Sequence, residues 1–304
     1  MVGVITTGNH PKALWPGIHA WFGSSYDEYP EEWPEIFGPA QGSTKAYEED
    51  VGVTGFGFAP IKAEGAAISY DSETQDFTKR YTHVAYALGY IVTHEELMDG
   101  QYEVVSKRRS RRLAFSMRQT KEVVAANVLN RAFTSGYTGG DAIILASASH
   151  PTLSGNQSNI ITTAADFSEA ALEDLLIQIR QAKGPRGLVI ALRAMKLIIP
   201  PNTQFDAERV LKSTLRVDTP NNDINAVRNM GLLPQGYVVN DYLTDTDAWF
   251  IKTNCPDGMT MFNREDVDFT QDNDNDTMNA KAKSYMRFSV GWTDWRGMYC
   301  SAGA

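Results

Sequence analysis

Val51-Gly-Val-Thr-Gly-Phe-Gly-Phe-Ala-Pro60 opens the stretch whose reading decides the fold. Phe77-Thr-Lys-Arg-Tyr-Thr-His-Val-Ala-Tyr-Ala-Leu-Gly-Tyr-Ile-Val92 brings the chain back. Between them lies the polar Asp71-Ser-Glu-Thr-Gln-Asp76. Val84, Tyr86, Leu88, Tyr90 and Val92 alternate with small or polar residues, the period of a β-strand. The pattern predicts a long β-arm from Val51 to Val92 with its tip at residues 71–76. Gly52, Gly55, Gly57 and Gly65 bend or loosen its outgoing strand. An isolated hairpin of this kind cannot shelter its apolar face and is marginal in water. It needs a partner surface, most simply another copy of the chain, with Tyr70 and Phe77 among the contacts.

A helix follows directly. Thr93 and Glu96 make a capping-box pattern for a short helix. From Gln101 to Phe133 there is neither proline nor glycine, which predicts a rod of about 50 Å. Leu113, Met117, Val124 and Val128 form one apolar stripe. Val123, Ala126, Leu129 and Phe133 add further faces, so the second half is expected to be buried nearly all round. The first half is basic: Lys107, Arg108, Arg109, Arg111 and Arg112 fall within six positions. Such a run repels itself unless something answers it. It can contact nucleic acid, pair with acids at Asp27–Glu35 or Glu48–Asp50 of a neighbouring subunit, or be a solvated face. The pairing ranks first.

Residues 1–44 concentrate Trp15, Trp21, Phe22, Tyr26, Tyr29, Trp33 and Phe37 among five prolines. The prolines predict an irregular segment and the aromatics a sticky one. Trp15, Trp21 and Trp33 are read as anchors on a neighbouring subunit, with a strap on the chain's own domain as the alternative. Further on, Asp166 is expected to cap a helix over residues 167–183, with Ala171, Leu172, Leu175, Leu176 and Ile179 inward. Leu197–Ile199 reads as a buried strand and residues 203–214 as a helix. Gly236–Val239 and Ala248–Ile251 read as a strand pair, and Ala282–Tyr299 as a return to the main sheet. The fold class is α+β with appended arms.

The 304 residues carry a net charge of −9 and 42% hydrophobic residues, which speaks against a dedicated nucleic-acid binder. No signal peptide or membrane span is readable, and two cysteines suit a reducing cytosol. Catalytic patterns break off. His94-Glu95 begins HExxH, but Met98 stands where the second histidine belongs. Asp272-Asn-Asp-Asn-Asp276 copies the opening of a calcium loop, yet Thr277 replaces its glycine and Lys283 its bidentate acid. No nucleophile–base pair is legible, so a hydrolase is a remote alternative, and no cofactor or metal is expected. A DNA-binding regulator using the basic helix is another.

Leu14-Trp-Pro-Gly-Ile-His-Ala-Trp-Phe22 with Glu31-Glu-Trp33, Ile91-Val-Thr-His-Glu-Glu-Leu97, Ile198-Ile-Pro-Pro-Asn202 and Gly291-Trp-Thr-Asp-Trp295 occur in an order that resembles the major capsid proteins of tailed bacteriophages. These have the Hong Kong 97-type fold, and the wording is similar to the Mu-like major head subunits. The resemblance implies an N-terminal arm (1–44), an E-loop (45–93), a peripheral domain (94–166) with spine helix 101–133, an axial domain (167–265) and a return to the peripheral domain (266–304). It also implies hexamers and pentamers of an icosahedral shell enclosing double-stranded DNA, built in a bacterial host's cytoplasm, with portal, scaffolding or decoration proteins as further partners. In some relatives of that fold an E-loop lysine cross-links covalently to an asparagine; Lys62 and Lys79 are the lysines available for it here, with no partner or catalytic acid legible. An encapsulin-type nanocompartment shell shares the fold and is the nearest alternative.

Overall fold

A proline in the first turn of a helix costs no hydrogen bond, because the amide it lacks has no partner there. Pro16 and Pro34 occupy that place in helices α1 (Trp15–Tyr26) and α2 (Trp33–Phe37). The N-terminal segment is therefore less irregular than its proline count predicts. The computed structural model describes residues 15–93, 95–96, 102–215, 223–273 and 279–303, and the side chains of 15–19, 102–106 and 273 are not described. Trp15 thus lies outside the described side chains, and the capping-box helix after Thr93 lies largely outside the described residues.

The rod is present as α3 (Tyr102–Asn130). Ser110, Leu113, Ala114 and Met117 are buried along one stripe, and Val124 and Val128 are partly buried behind them. The second half is not enclosed all round, since Val123 is 42% exposed. Helix α1 packs on α3 and stacks Phe22 on Phe269 at 4.7 Å. Helix α2 buries Trp33, Ile36 and Phe37. From Phe22 to Phe37 the aromatic segment is thus a strap on its own domain. Hydrophobic burial inside one chain costs no association entropy, so this contact prevails locally.

Beneath the helices lies a sheet in the order β1 (Gln41–Gly42), β8 (Met259–Asn273), β9 (Ala280–Trp292), β4 (Val84–Val92). Strand β4 corrects the expected arm. Its register puts Val84, Tyr86, Leu88 and Tyr90 opposite Phe288, Met286, Ser284 and Ala282 of β9. The period-two signal marked a half-buried sheet strand, and the ribbon's true returning strand is shorter: β2 (Tyr47–Val53) pairs antiparallel with β3 (Gln75–Thr82).

A second sheet runs β10 (Met298–Ser301), β7 (Trp249–Thr253), β5 (Ala194–Ile199), β6 (Tyr237–Val239). Its alternate residues serve two cores. Ile198, Phe250, Met298 and Cys300 face the core under α3, whereas Leu197, Ile199, Trp249, Ile251 and Tyr299 face α4 (Glu169–Arg180) and α5 (Gln204–Lys212). Burial on both faces explains the continuous apolar runs of these strands. Three expectations change here. Ser168, rather than Asp166, caps α4, accepting from Ala171 N at 3.2 Å. Strands β6 and β7 do not pair, because β5 lies between them and Asn130 holds the crossing chain by accepting from Thr244 N and donating to Tyr242 O, both at 3.0 Å. The C-terminus returns to the first sheet only as far as Trp292, and β10 joins the second.

Candidate assembly interface

The β2/β3 ribbon stands on a rigid root. Tyr81 OH meets Thr293 Oγ1 at 2.6 Å, and Thr293 Oγ1 donates to Asp50 Oδ2 at 2.7 Å. Burial raises the Tyr81 phenol above its ordinary pKa. Lys79 donates to Thr138 O at 2.8 Å and lies over the Trp292 ring. Burial pulls the Lys79 ammonium below its usual range. Gly140 leaves room for Phe77, whose ring carbon would stand 2.6 Å from a Cβ at that position. Phe77 and Lys79 are thus root residues.

Pairing stops at Val53 and Gln75, just beyond a register shift at Gly52. Past Thr54 and Thr74 the arm is irregular, and Phe56, Phe58, Ile61, Ile68 and Tyr70 are exposed, Tyr70 by 91%. One clamp shapes the tip. The Asp71 carboxylate accepts from Gly57 N and Ser72 N, both at 2.8 Å, and from Arg186 Nη1 at 2.9 and 3.0 Å. These two amides, and then the guanidinium, hold Asp71 below the usual carboxylate range. Arg186, in the loop Gly184-Pro-Arg-Gly187, was not singled out in the sequence.

The basic run divides in two. Arg109 forms a bidentate pair with Glu96 at 2.7 and 3.1 Å, and Lys107 Nζ lies 5.6 Å from the centre of the half-buried Trp21 ring. Arg108, Arg111 and Arg112 share one exposed stripe at helical spacing and have no ion-pair partner among the described residues. Most acids expected to answer them from a neighbour are already engaged. Glu31 binds Arg118 at 2.5 Å, Glu32 accepts from Asp241 N at 2.9 Å, and Glu35 pairs with Lys196. Glu48 binds Ser43 and Lys45, Glu49 pairs with Arg80, and Asp50 holds Thr293.

One further carboxylate ties the strap to the rod. Glu122 of α3, 1% exposed, accepts from Trp33 N at 2.9 Å and Glu32 N at 3.3 Å. Burial lifts its pKa to about 7, against the pull of these amides and of Arg118.

Elsewhere, buried His150 bonds Asp141 at 2.6 Å and stacks on Trp295, while Asn159 binds carbonyls of Leu145 and Met298. The cluster joins the 141–159 loop to the C-terminal strand. His83 is buried between Ser43 and Ser289, each at 3.0 Å. The Asp272–Asp276 stretch lies largely outside the described residues. Among the described residues no His, Cys, Asp and Glu cluster could hold a metal.

A family profile described as phage capsid protein matches residues 75–301. The capsid of a native GTA particle covers 100% of this chain and 93% of its own at TM-score 0.55 and 11% identity. Mycobacterium phage Patience gives TM-score 0.55 at 12% identity over 98% and 88%. A virus-like particle from Pyrococcus furiosus gives 0.52 at 12% over 94% and 98%. No curated protein sequence matches. The fold is the Hong Kong 97 type, and the chain belongs to the phage capsid protein family as a major capsid subunit.

Proposed function

We propose that this subunit forms hexamers and pentamers of an icosahedral shell around double-stranded DNA, with no catalytic role. The distal arm overlaps a neighbour, and Arg108, Arg111 and Arg112 contact phosphate. The observation that carries the DNA contact is the unanswered arginine stripe beside acids already engaged in their own chain. Phosphate is a counter-charge of the right sign, and releasing its counterions favours the contact. The Mu-like grouping, assembly in a bacterial cytoplasm, and portal, scaffolding or decoration partners stay proposals resting on the sequence phrases.

The test is the triple variant Arg108→Glu, Arg111→Glu, Arg112→Glu, made in a packaging system. Shells of normal size that retain less DNA are expected. Failure to form any shell would transfer the stripe to a subunit contact. The likeness to the Pyrococcus furiosus particle keeps a nanocompartment as a second reading. Purified wild-type particles filled with protein cargo instead of DNA would establish it.

A further inference from the structure

Strand β4 ends its sheet as an open edge: among the described residues no strand pairs on the far side from β9. Proteins that remain alone protect such edges with charge, proline, bulges or a covering element. Val84-Ala-Tyr-Ala-Leu-Gly89 has none of the first three, its register with β9 runs without a shift, and Val84, Ala85, Ala87, Leu88 and Gly89 are all exposed. On the outer face Ala85, Ala87 and Gly89 are small and lie beside Arg287, Tyr285 and Lys283 of β9.

The chain contains a segment that matches this edge. Ala67–Tyr70, in the distal arm, is uncharged and free of proline, and has no hydrogen-bond partner among the described residues. Ile68 and Tyr70 are large where β4 is small, and they are 64% and 91% exposed. Around them, residues 63–76 carry Glu64, Asp71, Glu73 and Asp76 and no base. The opposing face offers Lys283 and Arg287, while the acidic row of Glu265 and Asp268 lies across β9 from the edge. Within one chain the arm tip is instead held to Arg186 by Asp71.

We infer that residues 67–70 of one copy add as a strand to the Val84–Gly89 edge of a neighbouring copy. The partner is a second copy of this chain, and the contact is backbone pairing flanked by acid–base complementarity. This rests on the arm overlap proposed above and names where the arm lands.

Hydrogen exchange on assembled particles against the free subunit tests it. Amides in 84–89 and in 67–70 should both exchange at least tenfold more slowly in particles. Particles in which either segment exchanges as in the free chain overturn the edge pairing and leave the capsid reading intact. Wild-type chains that never assemble overturn both. The double variant Ala85→Glu, Ala87→Glu changes exposed positions only and sets like charge against the acidic arm. It should melt like the wild-type subunit yet form no shells, and normal shells from it would refute the inference.

Discussion

Glu122→Gln isolates the energetic cost of joining the N-terminal strap to the long helix. In the folded chain the carboxyl titrates at about 7, against an ordinary value of 4.5, because burial outweighs the two amides and Arg118. The native state therefore holds its proton more tightly than the unfolded chain, so stability falls as pH rises from 4.5 to 7 and levels off above. At 1.36 kcal/mol per tenfold in proton affinity, the shift amounts to at most about 3 kcal/mol. The substituted amide side chain would keep an oxygen to accept from Trp33 N and Glu32 N while removing the titration. Urea denaturation of the free subunit at pH 5 and pH 8 measures the effect. Relative to the variant, wild type should lose up to about 3 kcal/mol between the two pH values. Glu32, whose own carboxyl burial raises, is present in both proteins and cancels. Parallel profiles for the two proteins would refute the claim that Glu122 is protonated more readily in the fold.

Three other outcomes follow from packing. Gly140→Ala places a Cβ 2.6 Å from the Phe77 ring and 3.2 Å from Thr78 O; a loss of about 1–3 kcal/mol in subunit unfolding is expected, and an unchanged midpoint would show a looser arm root. Arg186→Ala frees the tip from Asp71. Because the pair is surface-exposed, stability should change by less than about 1 kcal/mol, while limited proteolysis within residues 58–70 should become faster; equal cleavage rates would mean the clamp does not restrain the arm. Trp249→Ala empties the wall shared by the second sheet and its helices, where the indole is fully buried, and should cost about 3–5 kcal/mol in the same denaturation assay.

The rod and the α4 stripe were legible from their periodicity, Leu113 with Met117 and the Ala171–Ile179 stripe, and strand β5 from its unbroken apolar run Leu197–Ile199. Strand β4 was read as a strand but assigned the wrong neighbour, since alternation reports two faces and says nothing of which strand lies beside it. Most of β8 escaped because Arg264, Glu265, Asp266 and Asp268 interrupt its apolar residues on the exposed side of the sheet. The prolines misled for a local reason, as Pro16 and Pro34 stand in first turns. At the interface, composition located the basic run and the arm. It could not divide Lys107 and Arg109, which have partners, from Arg108, Arg111 and Arg112, because that division depends on where Trp21 and Glu96 come to lie. Nor could sequence reveal Arg186, whose meaning appears only when Asp71 is folded against it.

That division also sets which surfaces remain for other subunits. A side chain buried or paired within its own fold gains little by meeting a second chain, and breaking its existing contacts costs what they contributed. Trp33, Phe77, Glu31 and Glu35 are therefore weak candidates for the lattice, although their residue types first suggested it. Three of the surfaces that the single chain leaves unmatched bear on the lattice: the distal arm's apolar residues, the uncharged β4 edge, and the arginine stripe of α3. Two of these complement each other in backbone hydrogen bonding, size and charge, whereas most acids of the segments first named for the third, all but Asp27 and Glu28, are engaged in their own chain. The proposed pairing accounts for the arm and the edge together, and the proposed phosphate contact answers the arginine stripe, which has no ion-pair partner among the described residues.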